Sequence, residues 1–258
     1  MSALLDIKEL VVSFDGFRAV DGVSLSVQAG ELRFLIGPNG AGKTTIIDVV
    51  TGLTKSTSGS VVFKGQDLLG LSEHRIVHRG IGRSFQKATV FEALTVLENL
   101  DLANSFRRSL PALLRRRSGV DAEVAKTLDR VGLGNVAHRM AGTLAHGQKQ
   151  WLEIGMLLVQ GPKLLLLDEP VAGMSPQERA DTGELLQSLA GDHTIVVIEH
   201  DMAFLRAYAQ QVTVLHEGKV LLEGSVEQIQ GNPLVQEVYL GRARDSRSGT
   251  FAEEEVVS

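Results

Sequence analysis

Eight consecutive residues carry the densest chemistry in the sequence: Gly37, Pro38, Asn39, Gly40, Ala41, Gly42, Lys43 and Thr44. Glycines at these intervals let backbone N–H groups turn inward around phosphate oxygens. A helix beginning after Gly42 adds the positive end of its dipole. Lys43 can then reach the β- and γ-phosphates of a nucleoside triphosphate, Thr44 can ligate Mg²⁺ through its hydroxyl, and Thr45 can contact the α-phosphate. An ordinary glycine turn needs neither a strand before it nor a helix after it. This one has both, an apolar run from Leu32 to Ile36 and a helical stretch from Gly42 to about Thr51. The expected ligands are ATP and Mg²⁺.

Two further strand ends carry ionisable groups. Leu164 to Leu167 runs into Asp168-Glu169-Pro170, and Thr194 to Ile198 runs into Glu199-His200-Asp201. In parallel strands both ends fall at the edge where open α/β sheets place ligands. Asp168 would hold Mg²⁺, directly or through water, and Glu169 would orient or deprotonate an attacking water. His200 could donate a hydrogen bond to the γ-phosphate or to that water.

The elements that must position these groups alternate along the chain. Apolar and polar residues alternate around Ile7 to Val12 and Val23 to Val27, which predicts an antiparallel β layer. After the phosphate loop come a strand at Val61 to Phe63, a short helix near Ser72 to Arg79 and a strand near Ile81 to Phe85. From Thr95 to about Gln160 the pattern is mainly helical, interrupted by Pro111 and by the turn at Gly132 to Gly134. Beyond Pro162 strands and helices alternate again, with a helix from about Pro176 to Leu189, another from Met202 to Gln210, and a strand from Val212 to His216. Uninterrupted apolar strands of this kind belong inside a parallel sheet covered on both faces.

The fold class is therefore α/β: a P-loop NTPase (RecA-like) parallel core with an N-terminal antiparallel β layer and an inserted α-helical subdomain. The expected division is one ATPase domain over 1–240, with 1–88 and 161–240 as the core and 89–160 as the helical subdomain. The tail over 241–258 has too little apolar content to pack.

Composition narrows the partners. The 258 residues are 43% hydrophobic, enough for a substantial core, and a formal net charge of −5 provides no global basic field for nucleic acid. The absence of cysteine excludes disulfides and thiolate metal sites. The first residues have no basic and apolar leader pattern, and no apolar run reaches the ~18 residues of a spanning helix, so a cytoplasmic chain is expected.

The order of these features resembles the ATP-binding cassette family over nearly the whole chain. The resemblance implies that Phe14 stacks on adenine, that Gln86 in Ser-Phe-Gln-Lys is a Mg²⁺ and water contact, and that His200 is a switch histidine. Leu144, Ala145, His146, Gly147 and Gln148 stand where the family carries Leu-Ser-Gly-Gly-Gln, the segment that contacts ATP held by an opposite subunit. Here Ala145 lacks the usual hydroxyl, and His146 either replaces a donor or faces outward. Ala172-Gly173-Met174-Ser175 departs as well, with Ser175 where many relatives carry Asp.

The family implies a second ATPase subunit, of a different or the same chain, together with transmembrane permease subunits. Indirectly it implies an external solute-binding protein, and for this chain a peripheral place on the cytoplasmic side of the plasma membrane. The strings Gly80-Ile-Gly-Arg-Ser-Phe-Gln-Lys87, Val90 to Asn99, His146 to Met156 and Pro170 to Met174 look like a urea-transporter ATP-binding subunit. That subunit lies within the branched-chain amino-acid uptake group, which Val238-Tyr-Leu-Gly241 also resembles. Urea or a short amide is thus the expected cargo, with branched-chain amino acids second. A non-transport clamp protein would carry a coiled-coil insertion or a basic arm, and neither is present. A small-molecule P-loop kinase would need neither the Leu144 to Gln148 segment nor His200.

Three other features are assigned plainer roles. His74 and His78, spaced i, i+4, have no evident third metal ligand; Trp151, Ile154 and Leu158 read as core; and the arginines at 107–108 and 115–117 read as a solvated face.

Overall fold

The computed structural model describes residues 3–84, 89–106 and 119–237. Its centre is a six-stranded sheet ordered β10-β9-β3-β8-β7-β6. These strands span β3 Leu32–Ile36, β6 Ile81–Arg83, β7 Leu164–Asp168, β8 Thr194–Ile198, β9 Gln211–His216 and β10 Lys219–Gly224. All neighbours are parallel except β9 and β10, which pair antiparallel. Every residue of β3, β7 and β8 is buried, as expected for strands covered on both faces.

Alternation within these strands feeds two cores. Phe34, Leu165, Leu167, Ile195 and Val197 point into one, and Leu35, Leu164, Leu166, Val196 and Ile198 into the other. A period of two thus divides one sheet between two apolar layers.

The second layer is closed by the four-stranded antiparallel sheet β2-β1-β4-β5 and by α1, Lys43–Val50. Strands β1 Leu5–Phe14 and β2 Phe17–Val27 form a hairpin that turns at Asp15 and Gly16. β4 is Ser58–Phe63 and β5 is Gln66–Asp67.

The first layer is closed by helices: α3 Val96–Ser105, α4 Ala122–Arg130, α5 His146–Leu158, α6 Pro176–Leu189, α7 Met202–Tyr208 and α8 Val226–Gln230. α2, Glu73–His78, packs on the opposite face through Ile76. Local sequence sets the helix starts. Thr95 with Glu98, Ser175 with Glu178 and Ser225 with Gln228 form capping boxes, and Pro176 opens α6 at a position that needs no N–H.

Arg33 ties the sheet together at its edge, donating to Glu31 at 2.6 Å, to Glu223 of β10 at 2.6 Å and to Thr213 of β9 at 3.1 Å. No helix among the described residues is long and apolar enough to cross a membrane. The elements expected from sequence are present with ends shifted by a few residues. Among the described residues, the expected helical segment 95–160 contains α3, α4 and α5 with short 3₁₀ turns at Gly134–Val136 and Ala141–Thr143. The expected tail at 241–258 and the arginines at 107–117 lie outside the described residues.

Candidate nucleotide-binding site

β3 delivers the chain to Gly37 and α1 carries it away from Gly42. Gly42 has φ 98°, and a Cβ there would lie 2.5 Å from the Ala19 carbonyl oxygen. A Cβ on Gly37 would lie 2.3 Å from the Leu215 carbonyl oxygen. Only glycine fits either place, because neither obstacle is a side chain that could swing aside. Lys43 Nζ donates to the Gly37 carbonyl at 2.8 Å and to the Pro38 carbonyl at 3.1 Å, so its charge sits at the mouth of the loop. Burial pulls its pKa down, while Glu169 and Asp168 oppose that shift.

A cleft of about 320 Å³ is lined by Phe17, Ala19, Asn39 to Thr45, Asp168, Glu169 and Ile198. The phosphate loop and the acidic strand end thus share one wall, as expected from sequence. The aromatic group of this cleft is Phe17; Phe14 pairs with Phe17 across the hairpin end but does not line the cleft. Both rings are half or more exposed.

Asp168, at the end of β7, is 4% exposed, and its Oδ1 has no hydrogen-bond partner. Burial raises its pKa, with the nearby Arg83 charge acting in the opposite direction. A buried carboxylate oxygen without a partner needs a cation or a donor. With Thr44 lining the same cleft, this carboxylate fits Mg²⁺, and the glycine-lined loop with Lys43 fits a polyphosphate. Bound together, ATP brings the phosphoanhydride to be cleaved, and Mg²⁺ neutralises charge on its oxygens.

Glu169 occupies the left-handed region at φ 51°, a strained place for a side-chain-bearing residue. Its N–H donates to the Ile198 carbonyl at 2.9 Å, which fixes the turn against the end of β8. From there Glu169 Oε1 lies 3.5 Å from His200 Nδ1. The structure therefore brings together the two groups that the sequence nominates for handling water. Asp201 caps α7 by accepting from the N–H groups of Ala203 and Phe204, and it also takes a 2.6 Å contact from Arg179.

Leu144 to Gln148 lies elsewhere, at the start of α5. Leu144 is buried. Ala145, the N-cap, supplies no side-chain acceptor, and its own N–H donates to Gln148 Oε1 at 3.2 Å. His146 is exposed, yet its Nε2 lies 3.0 Å from the Ala172 carbonyl oxygen of the same chain. Glu178 of α6 accepts from the Gly147 N–H and from Ser175, and these bonds lower its pKa, the Ser175 contributions being the largest. A Cβ on Gly147 would lie 2.6 Å from Glu178 Oε1, so any larger residue there would have to push the Glu178 side chain aside and break that bond. None of the residues from Leu144 to Gln148 lines the cleft containing Lys43.

Gln86 lies outside the described residues. His74 and His78 face each other with Nε2 atoms 2.9 Å apart, and His78 stacks on Phe106. Trp151 packs at the core margin and donates from Nε1 to Thr182 Oγ1 at 2.8 Å, joining α5 to α6. Phe17 and the buried acid Glu199 were not singled out by sequence. For Phe17 a signal existed in its place three residues past Phe14 across a turn.

Comparison with known proteins agrees with this geometry. The family described as ABC transporter matches residues 20–172, and the description branched-chain amino acid ATP-binding cassette transporter matches residues 219–245. The high-affinity branched-chain amino acid transport ATP-binding protein BraF of Pseudomonas aeruginosa is 38% identical over 251 residues, covering 93% of this chain and 98% of that protein. LivG of Escherichia coli K12, which carries the same description, has the same identity and coverage.

Among solved structures, the ADP conformation of an ATP-binding cassette of an ABC transporter superposes with TM-score 0.82 at 33% identity, covering 93% of this chain and all of that one. CbiO1 of Clostridium perfringens, part of an ABC transporter complex, gives TM-score 0.80 at 26% identity, covering 96% of this chain and all of that one. The family match over residues 20–172, the 38% identity to BraF and LivG and the shared fold agree with a phosphate loop that shares one cleft with a buried carboxylate, so the chain belongs to the ATP-binding cassette transporter family, in its branched-chain amino acid group, as an ATPase that binds ATP with Mg²⁺ and couples its hydrolysis to transport.

Proposed function

We propose that this chain is the ATPase subunit of an importer for branched-chain amino acids. The observation that carries the cargo is the 38% identity over 93% of the chain to BraF and LivG, both described as branched-chain amino acid transport proteins. The urea reading, drawn from short strings such as His146 to Met156, finds no counterpart in those descriptions, and the sequence's second choice replaces it. In the proposed cycle two cassettes close on two ATP molecules, each held by one subunit's phosphate loop and the other's Leu144 to Gln148 segment. Phe17 stacks on the base, Thr44, Gln86 and Asp168 hold Mg²⁺, and Glu169 and His200 align water for in-line attack.

The helical segment 89–160 would dock permease subunits, keeping the chain peripheral on the cytoplasmic face, with a solute-binding protein acting on the far side. Uptake of labelled leucine and of labelled urea, compared in cells with and without this gene, tests the cargo. Loss of leucine uptake alone supports the proposal, and loss of urea uptake alone overturns it.

A further inference from the structure

Glu199 is 2% exposed and follows the last residue of β8. Its two carboxylate oxygens accept from backbone N–H groups of two different loops. Oε1 takes Val171 at 3.4 Å, while Oε2 takes His200 at 3.0 Å and Asp201 at 3.3 Å. Val171 lies two residues beyond Glu169, whose own N–H is held by the carbonyl of Ile198, immediately before Glu199. The turn carrying Glu169 is therefore pinned to the end of β8 on both sides, once by backbone and once by the Glu199 side chain. The same carboxylate holds the backbone of His200, and so the point from which the exposed His200 side chain approaches Glu169, its Nδ1 lying 3.5 Å from Glu169 Oε1.

Core filling alone would favour an apolar side chain here, since burying a carboxylate is costly unless its bonds are needed. Burial does push the Glu199 carboxyl up in pKa, against the three N–H bonds.

We infer that Glu199 is a positioning residue that sets the distance and angle between Glu169 and His200, and so acts on turnover through them without touching nucleotide. The inference rests on the proposed roles of those two residues.

The test uses the assembled transporter, purified through a tag on this chain. Glu199→Ala is expected to lower kcat about 30-fold with KM for ATP within about twofold, because misplacing reacting groups costs rate more than ground-state binding. Glu199→Gln, which keeps one acceptor oxygen, should lose about three- to tenfold. In a His200→Ala background the further loss from Glu199→Ala should shrink to about twofold or less, since two residues acting through one geometry are not additive. Losses that multiply in full, or a KM shift as large as the kcat shift, overturn the inference. Should Glu199→Ala fail to assemble, parent-like turnover in the near-isosteric Glu199→Gln overturns it. Parent-like turnover in Glu169→Gln removes the catalytic reading and this inference together, whereas collapse there with unaffected Glu199 variants removes this inference alone.

Discussion

His146 Nε2 lies 3.0 Å from the carbonyl oxygen of Ala172, joining the start of α5 to the turn that follows Glu169 within one chain. Glu178 reinforces the join by accepting from both Gly147 and Ser175. A residue whose family position suggests a ligand contact therefore spends its ring nitrogen on an internal bond. Replacing it with alanine should loosen that turn: amide exchange over 171–175 should accelerate about three- to tenfold, the worth of one hydrogen bond, with global stability nearly unchanged. Hydrogen-exchange mass spectrometry reads this directly.

Glu169→Gln keeps shape and removes the carboxylate proposed to act on water. ATP binding should persist within about threefold, while steady hydrolysis by the assembled complex falls at least about 100-fold, as for loss of a general base. Nucleotide binding and phosphate release, measured on the same preparation, separate the two.

Phe17 lines the cleft and Phe14 does not. Loss of one base-stacking ring costs on the order of 1–3 kcal/mol, so Phe17→Ala should raise the ATP dissociation constant by roughly tenfold or more. Phe14→Ala should change it less than about twofold. Fluorescent-nucleotide titration of both variants decides between them.

Asp201 has its carboxyl pKa lowered. Burial alone would raise it, but the N–H groups of Phe204 and Ala203 and the Arg179 guanidinium outweigh that effect. A carboxyl that holds protons less tightly when folded contributes stability above its unfolded pKa, and that contribution drains away as pH falls through the folded value. Asp201→Ala should cost about 1–2 kcal/mol at pH 7, the usual cost of a lost cap, and this difference should narrow progressively below about pH 4. Urea unfolding at several pH values measures it.

Arg33 and Glu31 are both about nine-tenths buried and 2.6 Å apart. Arg33→Met leaves Glu31 without that partner, and removing one member of a buried pair should destabilise the fold by about 3 kcal/mol. Arg33 lies at the far end of β3 from the phosphate loop, so hydrolysis at low temperature should change little.

Much of this molecule is legible in its sequence because the strongest signals are also the most buried. Leu32–Ile36 and Pro176–Leu189 fall where the sequence pattern puts them. β10 escapes because Lys219 to Gly224 is a partly exposed antiparallel edge with weak alternation, and α8 because it is only a turn and a half long. The choice between Phe14 and Phe17 depends on the hairpin register, with its shifts between Ile7 and Leu10 and between Val12 and Ser13, which no spacing rule supplies. The destination of His146 lies 26 residues away in the chain, and a buried acid such as Glu199 has the same letter as a solvated one.

Behind Gly37 stands the Leu215 carbonyl of β9, so close that even a methyl group has no room. The loop therefore has a hard backstop. A nucleotide pressing on it meets a strand clamped between β3 and β10, and the loop cannot recoil into the sheet. Adjustment to a longer or shorter phosphate chain must come from the front, where Lys43 can trade its two carbonyl partners for phosphate oxygens. The mouth of the cleft is adaptable while its floor behaves as an anvil.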